Sequence, residues 1–428
     1  MIFVLEEARF YLKKYYGYST FRPGQELIIK NILEKRDLLA IMPTGSGKSI
    51  CYQIPALLFP GLSIVISPLI SLMKDQVDIL EEKGLPATYL NSSLKASETK
   101  RRIEKVRRGD YKLLYIAPER LKIPGFIDLL NKLELSMVCV DEAHCISQWG
   151  HDFRPAYLYI GDLVQQLKKR PVLAAFTATA TPEVREDIIK GLKLRNPRLY
   201  LGGFDRENLT FIVKRGVNKD RFILDYLKKN TGSAGIIYTA TRRKTDRLYQ
   251  LLSARGYAVG RYHAGLSTRE RYDTQQAFLD NRIKIVVATN AFGMGIDKAD
   301  VRYVLHYNMP GSIEAYYQEA GRAGRDGKEA ECILLYSPED KRIQEFLIEE
   351  SCEERERIQQ RKKELQAIIN YCFTSRCLRA FILAYFGEKS NKLNCINCSN
   401  CLPSYDIGDL LGSFRLLFSS LNRIGKKS

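Results

Sequence analysis

The feature that most restricts the fold of this chain is an alternation of short apolar runs with helix-like segments. Five such runs lie within residues 37–177 and five more within residues 235–336. Several are followed by Gly, Pro, Ser or Thr and then by a helical pattern, as strand-to-helix loops are in α/β proteins. We therefore predict two doubly wound α/β domains, each built on a parallel sheet. The predicted strands are 37–42, 62–67, 113–117, 137–140, 172–177, 235–239, 258–262, 283–288, 303–306 and 331–336.

Length and composition divide the chain into four parts. Its 428 residues exceed the roughly 250–300 over which a single hydrophobic core grows. After Ser337-Pro338 the pattern changes to charged helix and then to a cysteine-rich segment. We predict one α/β domain over 1–203, a second over 204–337, a small helical module over 338–404 and a short tail over 405–428.

The chain carries a large excess of basic residues. Its net charge of +18 favours a polyanionic partner, although such a charge alone is weak support. No run approaches the roughly 18 apolar residues of a membrane helix, and the N-terminus lacks the features of a signal peptide. We therefore expect a cytosolic protein with no membrane partner.

A glycine-rich segment at residues 42–49 follows a predicted strand and opens a predicted helix, which is the context of a phosphate-binding loop. Gly45 and Gly47 allow backbone N–H groups to approach phosphate oxygens, Lys48 carries the compensating charge, and Ser49 can ligate Mg²⁺. The strict pattern has glycine where Met42 stands, so this loop is a variant. The predicted phosphate-binding residues are Thr44, Gly45, Ser46, Gly47, Lys48 and Ser49.

A second acidic element comes directly after the predicted strand 137–140 and reads Asp141-Glu142-Ala143-His144. A carboxylate at the carboxyl end of a parallel strand lies at the crevice where ligands bind in this fold. Asp141 suits a contact to Mg²⁺, and Glu142 suits activation of the attacking water. We assign Lys48, Asp141, Glu142 and His144 to the catalytic centre.

The second half has no phosphate-binding loop, but residues 317–327 contain three polar side chains at helical spacing. Gln318, Arg322 and Arg325 stand at i, i+4 and i+7, so on one continuous helix they would share a face. Two guanidinium groups on one face suit a γ-phosphate, as arginine fingers do. We therefore predict a catalytic role for all three.

Together with four further ordered motifs, these segments resemble the superfamily 2 helicases, and specifically the RecQ-like DNA helicases, over about residues 15–401. Residues 21–25 resemble the adenine-recognition motif of that family, 67–76 its motif Ia, 176–181 its motif III and 289–297 its motif V. The resemblance implies two RecA-like domains with ATP between them. It also implies 3′-to-5′ translocation on single-stranded DNA and a role in DNA repair and recombination.

The same resemblance assigns residues to the base and the nucleotide. Gln25 would read the edge of the adenine with help from Arg22, and Tyr18 would stack on the ring. Asp297, at the end of the motif V segment, would belong to the ATP site.

Residues 145–157 are similar to the aromatic-rich loop that couples DNA contact to ATP hydrolysis in RecQ proteins. Trp149 is the only tryptophan in the chain, and a single tryptophan is usually a core residue. Its polar neighbours do not alternate as in a buried element, which favours an exposed loop. We expect Trp149 and Phe153 to stack on bases and Arg154 to bind phosphate.

Four cysteines near the C-terminal end have the spacing of a metal site. Cys377 precedes the overlapping C-x-x-C steps Cys395, Cys398 and Cys401, a pattern typical of tetrahedral zinc. A cytosolic location argues against disulfides, whereas an iron–sulfur cluster stays open from spacing alone. The resemblance implies zinc. Cys372 would be a surplus thiol.

The expected cofactors are ATP, Mg²⁺ and Zn²⁺, and the expected partners are single-stranded and forked DNA. We expect a monomer that associates with the nucleoid in the cytoplasm. By resemblance, residues 405–428 could be a remnant of a winged-helix domain, and the alternative is a self-contained amphipathic tail packed on the zinc module. Weakened duplex unwinding is the expected consequence. The alternatives are a superfamily 2 RNA helicase and a DNA-binding module with an impaired motor.

Overall fold

The computed structural model describes residues 2–150, 152–293, 298–352, 354–388 and 394–402. The predicted tail at 405–428 and the predicted nucleotide ligand Asp297 lie outside these ranges. The chain divides into two compact units between Gly203 and Phe204. Among the described helices, none is both long and apolar enough to cross a membrane.

The first unit contains a parallel sheet with the strand order β3-β4-β2-β5-β6-β1-β7. The strands are β1 Leu38–Ile41, β2 Leu62–Ile66, β3 Ala87–Leu90, β4 Leu113–Ile116, β5 Leu135–Val140, β6 Val172–Thr177 and β7 Arg198–Leu201. The helices are α1 Ile2–Tyr11, α2 Gln25–Leu33, α3 Lys48–Leu58, α4 Ile70–Glu82, α5 Ala96–Arg108, α6 Phe126–Leu130, α7 Leu158–Gln166 and α8 Pro182–Gly191. Shorter helical turns are Leu12–Tyr16, Pro118–Lys122, Ala143–Ile146 and Pro155–Tyr157.

The second unit has its own parallel sheet, with the strand order β10-β11-β9-β12-β13-β8. Its strands are β8 Leu209–Arg215, β9 Ala234–Tyr238, β10 Val259–Tyr262, β11 Ile285–Ala288, β12 Val301–His306 and β13 Ala330–Tyr336. Its helices are α9 Lys219–Lys229, α10 Arg242–Ser253, α11 Thr268–Leu279, α12 Ile313–Ala320, α13 Pro338–Ser351, α14 Arg355–Phe373 and α15 Leu378–Tyr385. Two parallel-sheet α/β units confirm the predicted fold class.

Each predicted strand overlaps an observed one, and three further strands occur at β3, β7 and β8. Both β3 and β7 are four-residue strands at opposite edges of the first sheet, and β8 forms one edge of the second. The side chains of β7 are largely exposed, so this strand lacks the apolar run by which buried parallel strands are recognised.

The strand order of the first unit determines where its functional loops meet. β6 pairs with β1 on one side and with β5 on the other, so the carboxyl ends of these three strands are neighbours. Residues 42–47 follow β1, Asp141 follows β5, and Thr177 is the last residue of β6. All the predicted catalytic groups of the first unit therefore lie at one edge of one sheet.

A buried carboxylate joins β1 to its neighbours at the opposite, amino-terminal ends of the strands. Asp37, just before β1, accepts hydrogen bonds from Arg170 at 2.5 and 3.0 Å, from the Leu173 backbone N–H at 3.1 Å and from the Arg195 N–H at 2.7 Å. These donors lie in or next to β6 and before β7. The carboxylate thus ties the start of β1 to both of its neighbours in the sheet.

The cysteine-containing segment packs on the second sheet. Arg379 of α15 is buried and donates to the carbonyl oxygens of Arg206 at 2.7 Å and Leu209 at 2.6 Å. The rings of Phe204 and Phe386 stack with their centroids 4.4 Å apart. These contacts attach the small helical segment to the start of β8.

Replacing Asp37 should weaken the first unit. Asp37→Ala leaves Arg170 and two backbone N–H groups without their acceptor, so we expect a loss of about 3 kcal/mol in the free energy of unfolding. Urea denaturation followed by the fluorescence of Trp149, which lies in the first unit, measures this loss.

Glu186→Ala is the matched control, because Glu186 pairs with Lys190 at 3.4 Å on the exposed surface of α8. We expect it to change stability by less than about 0.5 kcal/mol. Equal midpoints for Asp37→Ala and Glu186→Ala would contradict the role given to Asp37.

Candidate functional site

The phosphate-binding loop connects β1 to α3 in a conformation that requires glycine. Gly45 and Gly47 have φ angles of +82° and +81°, in the left-handed region that L side chains rarely adopt. A Cβ at Gly47 would also lie 2.5 Å from Nε2 of Gln25. Thr44 and Ser46 lie in the same turn, and Lys48 and Ser49 form the first turn of α3. The predicted loop residues therefore form one continuous cradle at a helix N-terminus.

Two predicted base-recognition residues hold this loop. Gln25 donates from Nε2 to the carbonyl oxygens of Ser46 at 3.0 Å and Gly47 at 3.2 Å, while its Oε1 accepts from the Arg22 backbone N–H at 2.9 Å. The Arg22 guanidinium donates to the Gly45 carbonyl at 2.7 Å. Both residues therefore contact the phosphate loop as well as each other.

Tyr18, the predicted stacking residue, is 52% exposed. It lies in the segment between the turn Leu12–Tyr16 and α2, the same segment that carries Arg22. An exposed ring on this segment is available to a planar ligand.

The acidic motif faces the loop lysine. Nζ of Lys48 lies 3.8 Å from Oε1 of Glu142, and both side chains are mostly buried. Burial, followed by the nearby Glu142 charge, raises the pKa of Asp141 to about 6. A buried carboxylate in this position is stabilised by a hard cation, which is the behaviour expected of a Mg²⁺ ligand. Ser49 offers a hydroxyl oxygen from the first turn of α3.

Glu142 adopts an uncommon backbone conformation. Its φ angle is +47°, which is rare for a residue other than glycine and directs the chain into the turn Ala143–Ile146. His144 follows within this turn and is buried. Its Nδ1 lies 2.8 Å from Oγ1 of Thr177 and 3.3 Å from Oε2 of Glu142, and burial lowers its pKa to about 4. A neutral imidazole thus connects the acidic motif to the end of β6.

The aromatic-rich segment follows directly. Trp149 is 44% exposed and its backbone N–H donates to Oγ of Ser147, which in turn donates to Asp187 at 2.6 Å. The indole is therefore not a core residue. Phe153 is partly exposed in the same loop.

Arg154, the predicted phosphate ligand, has protein partners in this structure. Its guanidinium lies 3.3 Å from Oδ2 of Asp152 and donates to the Pro68 carbonyl at 3.0 Å. Pro68 belongs to the segment that resembles motif Ia. The pairing of Asp152 with Arg154 was not predicted, although a carboxylate two residues before an arginine is a recognisable signal in the sequence.

In the second unit, one expectation is wrong. Helix α12 ends at Ala320, so Gln318 lies on the helix while Arg322 and Arg325 lie in the turns that follow. They do not share one helical face. The Arg322 N–H donates to the carbonyl three residues back rather than four, and Gly324 has a φ angle of +56°, so the helix does not run on to Arg325.

Arg322 is held against the segment that resembles motif V. It is buried, and its guanidinium donates to the carbonyl oxygen of Gly293. Arg206 supports the turn by donating to the carbonyls of Ala323 at 3.0 Å and Gly324 at 2.9 Å. The contacts made by Gly293 and Arg206 were not predicted, because these residues have no regular sequence spacing from Arg322 or Arg325.

The four predicted metal ligands come together. The Sγ atoms of Cys377, Cys395, Cys398 and Cys401 all lie within 4.8 Å of one another. Tetrahedral zinc with bonds of about 2.3 Å separates its sulfurs by roughly 3.8 Å, so the group fits this ion. Cys372 is buried but does not belong to the group.

The cysteine group is anchored to the second sheet through its backbone. Ser399 donates from its N–H to the Phe211 carbonyl at 2.9 Å, and Cys398 forms an isolated β-bridge with Phe211. The Asn397 side chain donates to the Glu207 carbonyl at 2.9 Å. The backbone that carries the thiols is therefore attached to β8, the edge strand of the second sheet.

Three family models match the chain in order. The DEAD/DEAH box helicase model matches residues 22–188, the helicase conserved C-terminal domain model matches 218–327, and the RecQ zinc-binding model matches 338–402. The first implies ATP and Mg²⁺ as cofactors. The third, together with the four thiols, identifies Zn²⁺ as the metal of the cysteine group.

Individual proteins that are similar to this chain over most of its length indicate the same family. The ATP-dependent DNA helicase RecQ of Bacillus subtilis is 53% identical over 90% of this chain and 65% of its own length. The helicase of the same name from Haemophilus influenzae is 42% identical over 97% of this chain and 67% of its own length. The chain thus spans about two thirds of the length of these relatives. The solved structure of the DUF1998 helicase MrfA bound to DNA shares the fold, with a TM-score of 0.66 at 18% identity over 91% of this chain and 59% of that one.

Loss of one thiol should abolish the zinc site. We expect about one zinc ion per chain in protein purified without added metal, and Cys398→Ser should remove it and expose residues 338–402 to protease. Elemental analysis and limited proteolysis measure both effects. Cys372→Ser is the control, because it removes a buried thiol outside the group; iron in place of zinc, or full zinc retention in Cys398→Ser, would contradict the assignment.

The family follows from agreement between independent observations. The glycine loop, the acidic motif, the aromatic-rich segment and the four-thiol group occur in one order along the chain, and the three models match in that same order. A relative 42% identical is covered over 67% of its length. The chain therefore belongs to the RecQ-like family of superfamily 2 helicases.

Proposed function

We propose that this chain is an ATP-hydrolysing motor that translocates 3′ to 5′ on single-stranded DNA and acts as a DNA helicase. The observation that carries the proposal is the distance of 3.8 Å between Nζ of Lys48 and Oε1 of Glu142. The segment that follows Glu142 carries the exposed side chain of Trp149. Glu142, the candidate base beside Lys48, lies at one end of the short segment 142–149, and the exposed Trp149 lies at the other end. This arrangement supports coupling of hydrolysis to DNA contact.

Each side chain of the first unit then has a chemical role. Lys48 and the backbone N–H groups of the loop bind the β and γ phosphates, and Glu142 orients and activates the attacking water. Asp141 and Ser49 would hold Mg²⁺, which neutralises charge on the phosphates. Gln25 binds the adenine edge, and its contacts to the loop relate the base to the phosphates.

The second unit supplies the remaining positive charge in this proposal. Arg322 and Arg325 stabilise the transferring phosphoryl group, and Gln318 assists them from α12. Arg322 exchanges its hydrogen bond to the Gly293 carbonyl for the phosphate oxygens. Asp297 completes the nucleotide site.

Contact with DNA reaches Glu142 through a short path. Trp149 and Phe153 stack on bases while Arg154 binds phosphate, and the backbone N–H of Arg154 donates to the Cys145 carbonyl at 2.9 Å. Cys145 follows His144, whose Nδ1 lies 3.3 Å from Glu142. Movement of the loop therefore changes the position of the candidate base.

The proposed partners are single-stranded and forked DNA, bound by a monomer at the nucleoid in the cytoplasm during repair and recombination. The net charge of +18 supports a nucleic-acid partner. An RNA helicase and an impaired motor are the alternatives. ATP hydrolysis measured with matched single-stranded DNA and RNA separates them: we expect stimulation by DNA, whereas stimulation by RNA alone, or none by either, would contradict the proposal.

Glu142→Gln should separate ATP binding from hydrolysis. The amide keeps the shape of the side chain but cannot accept the proton of the attacking water, so we expect a fall of about 10²–10³ in kcat at saturating DNA. Nucleotide binding, measured by equilibrium titration, should be retained. Glu186→Gln on the exposed surface of α8 is the control; a Glu142→Gln protein that hydrolyses ATP at the normal rate would exclude this role.

Trp149→Ala should weaken coupling rather than binding. Without the ring, DNA that is held by basic residues no longer engages the loop that leads to Glu142, so we expect the stimulation of ATP hydrolysis at saturating DNA to fall by about tenfold. Basal hydrolysis should be unchanged, because the phosphate loop is intact. Tyr272→Ala removes an exposed aromatic ring in the second unit and serves as control. An unchanged ratio of DNA-stimulated to basal rate would remove Trp149 from the coupling path.

A further inference from the structure

A second group of metal-type donors lies at the base of the aromatic-rich loop, far along the chain from the zinc ligands. Sγ of Cys145 is 3.8 Å from Nε2 of His144 and 3.8 Å from Oδ2 of Asp152. All three donor atoms lie within 4.8 Å of one another. Tetrahedral zinc bound by sulfur, nitrogen and oxygen separates these atoms by about 3.5 Å, which is within a few tenths of an ångström of the two distances to sulfur.

The hydrogen bonds of the imidazole orient its second nitrogen for a ligand. The Thr177 hydroxyl donates to the Thr179 carbonyl at 3.2 Å, which leaves its oxygen to accept from Nδ1 of His144 at 2.8 Å. Oε2 of Glu142 lies 3.3 Å from the same Nδ1. With the proton on Nδ1, the lone pair of Nε2 faces Cys145. Metal-binding histidines typically have this arrangement, with the other nitrogen donating to an oxygen acceptor.

Charge and access also suit a divalent cation. A Cys145 thiolate and an Asp152 carboxylate together balance two positive charges, so the bound group would be neutral in a buried place. His144 and Cys145 are fully buried, whereas the Asp152 side chain is 35% exposed. The group therefore opens to solvent on the Asp152 side, where an ion enters and water can complete its coordination.

We propose that His144, Cys145 and Asp152 form a second metal site, which binds one thiophilic divalent cation such as Zn²⁺. Binding forms bonds from the metal to Nε2, Sγ and Oδ2 and releases the thiol proton to solvent. This site differs in position and ligand set from the four-thiol group. It goes beyond the proposed function and does not depend on it, because it concerns ion binding by the folded first unit.

Occupation of this site would act on the aromatic-rich loop. Oδ2 of Asp152 also contacts the Arg154 guanidinium at 3.3 Å, so an ion on this oxygen competes with Arg154. The same ion holds His144, which neighbours Glu142. The ion thus fixes the segment between the two in one conformation, and this consequence rests on the proposed function: the response of hydrolysis to DNA would fall.

The test is a metal count on the full chain with its cysteine group already loaded. The protein is equilibrated with Cd²⁺ or Zn²⁺ over a range of concentrations, separated from unbound ion and measured by elemental analysis and by thiolate-to-metal absorption. We expect wild type to bind one ion more than Cys145→Ser, and Asp152→Asn to bind the additional ion at least about tenfold more weakly. Affinity should rise with pH, because the thiol proton is displaced.

Cys332→Ser is the matched control, since it removes a buried thiol of β13 and should keep the additional ion. The circular dichroism of each variant establishes that it is folded, and Asp152→Asn, at a partly exposed position, tests the site even if Cys145→Ser is unstable. No additional ion in wild type, or an additional ion retained with equal affinity by both Cys145→Ser and Asp152→Asn, would overturn the proposal.

Discussion

A parallel sheet brings the carboxyl ends of its strands to one edge, and the chemistry of the first unit depends on this constraint. β1, β6 and β5 are neighbours, so the phosphate loop, Thr177 and the acidic motif meet although they are separated by up to about 135 residues in sequence. Asp37 links β1 to β6 and to the segment before β7 at the amino-terminal ends of these strands. Stability and catalytic geometry therefore share one set of strand pairings.

The second unit uses different means to position its groups. Arg322 is held by a backbone carbonyl of the segment that resembles motif V, and its turn is held by Arg206. The small cysteine-containing segment has little core of its own, so its metal and the buried Arg379 stabilise it together. The catalytic groups of the first unit follow strand ends, whereas Arg322 lies in a turn after a helix.

The sequence predicted the fold and the grouping of the four cysteines, because strand-to-helix alternation and cysteine spacing are local properties. It missed β3, β7 and β8, which all lie at sheet edges, and β3 and β7 are only four residues long. It placed Arg322 and Arg325 on a helix because their spacing is helical, but Gly324 adopts a left-handed conformation that spacing does not reveal. The pairing of Asp152 with both Cys145 and Arg154 depends on the path of the loop, which only the three-dimensional structure supplies.

The backbone hydrogen bond from Arg154 to Cys145 closes the aromatic-rich segment at its base. Within this closed ring Gly150 donates to the Ser147 carbonyl at 3.1 Å, which further limits the conformations open to the backbone around the indole. Much of the conformational entropy that an exposed aromatic residue would lose on stacking against a base has therefore been lost already on folding. In the proposed function, an aromatic ring presented in this way would engage and release single-stranded DNA repeatedly without the loop having to be ordered each time.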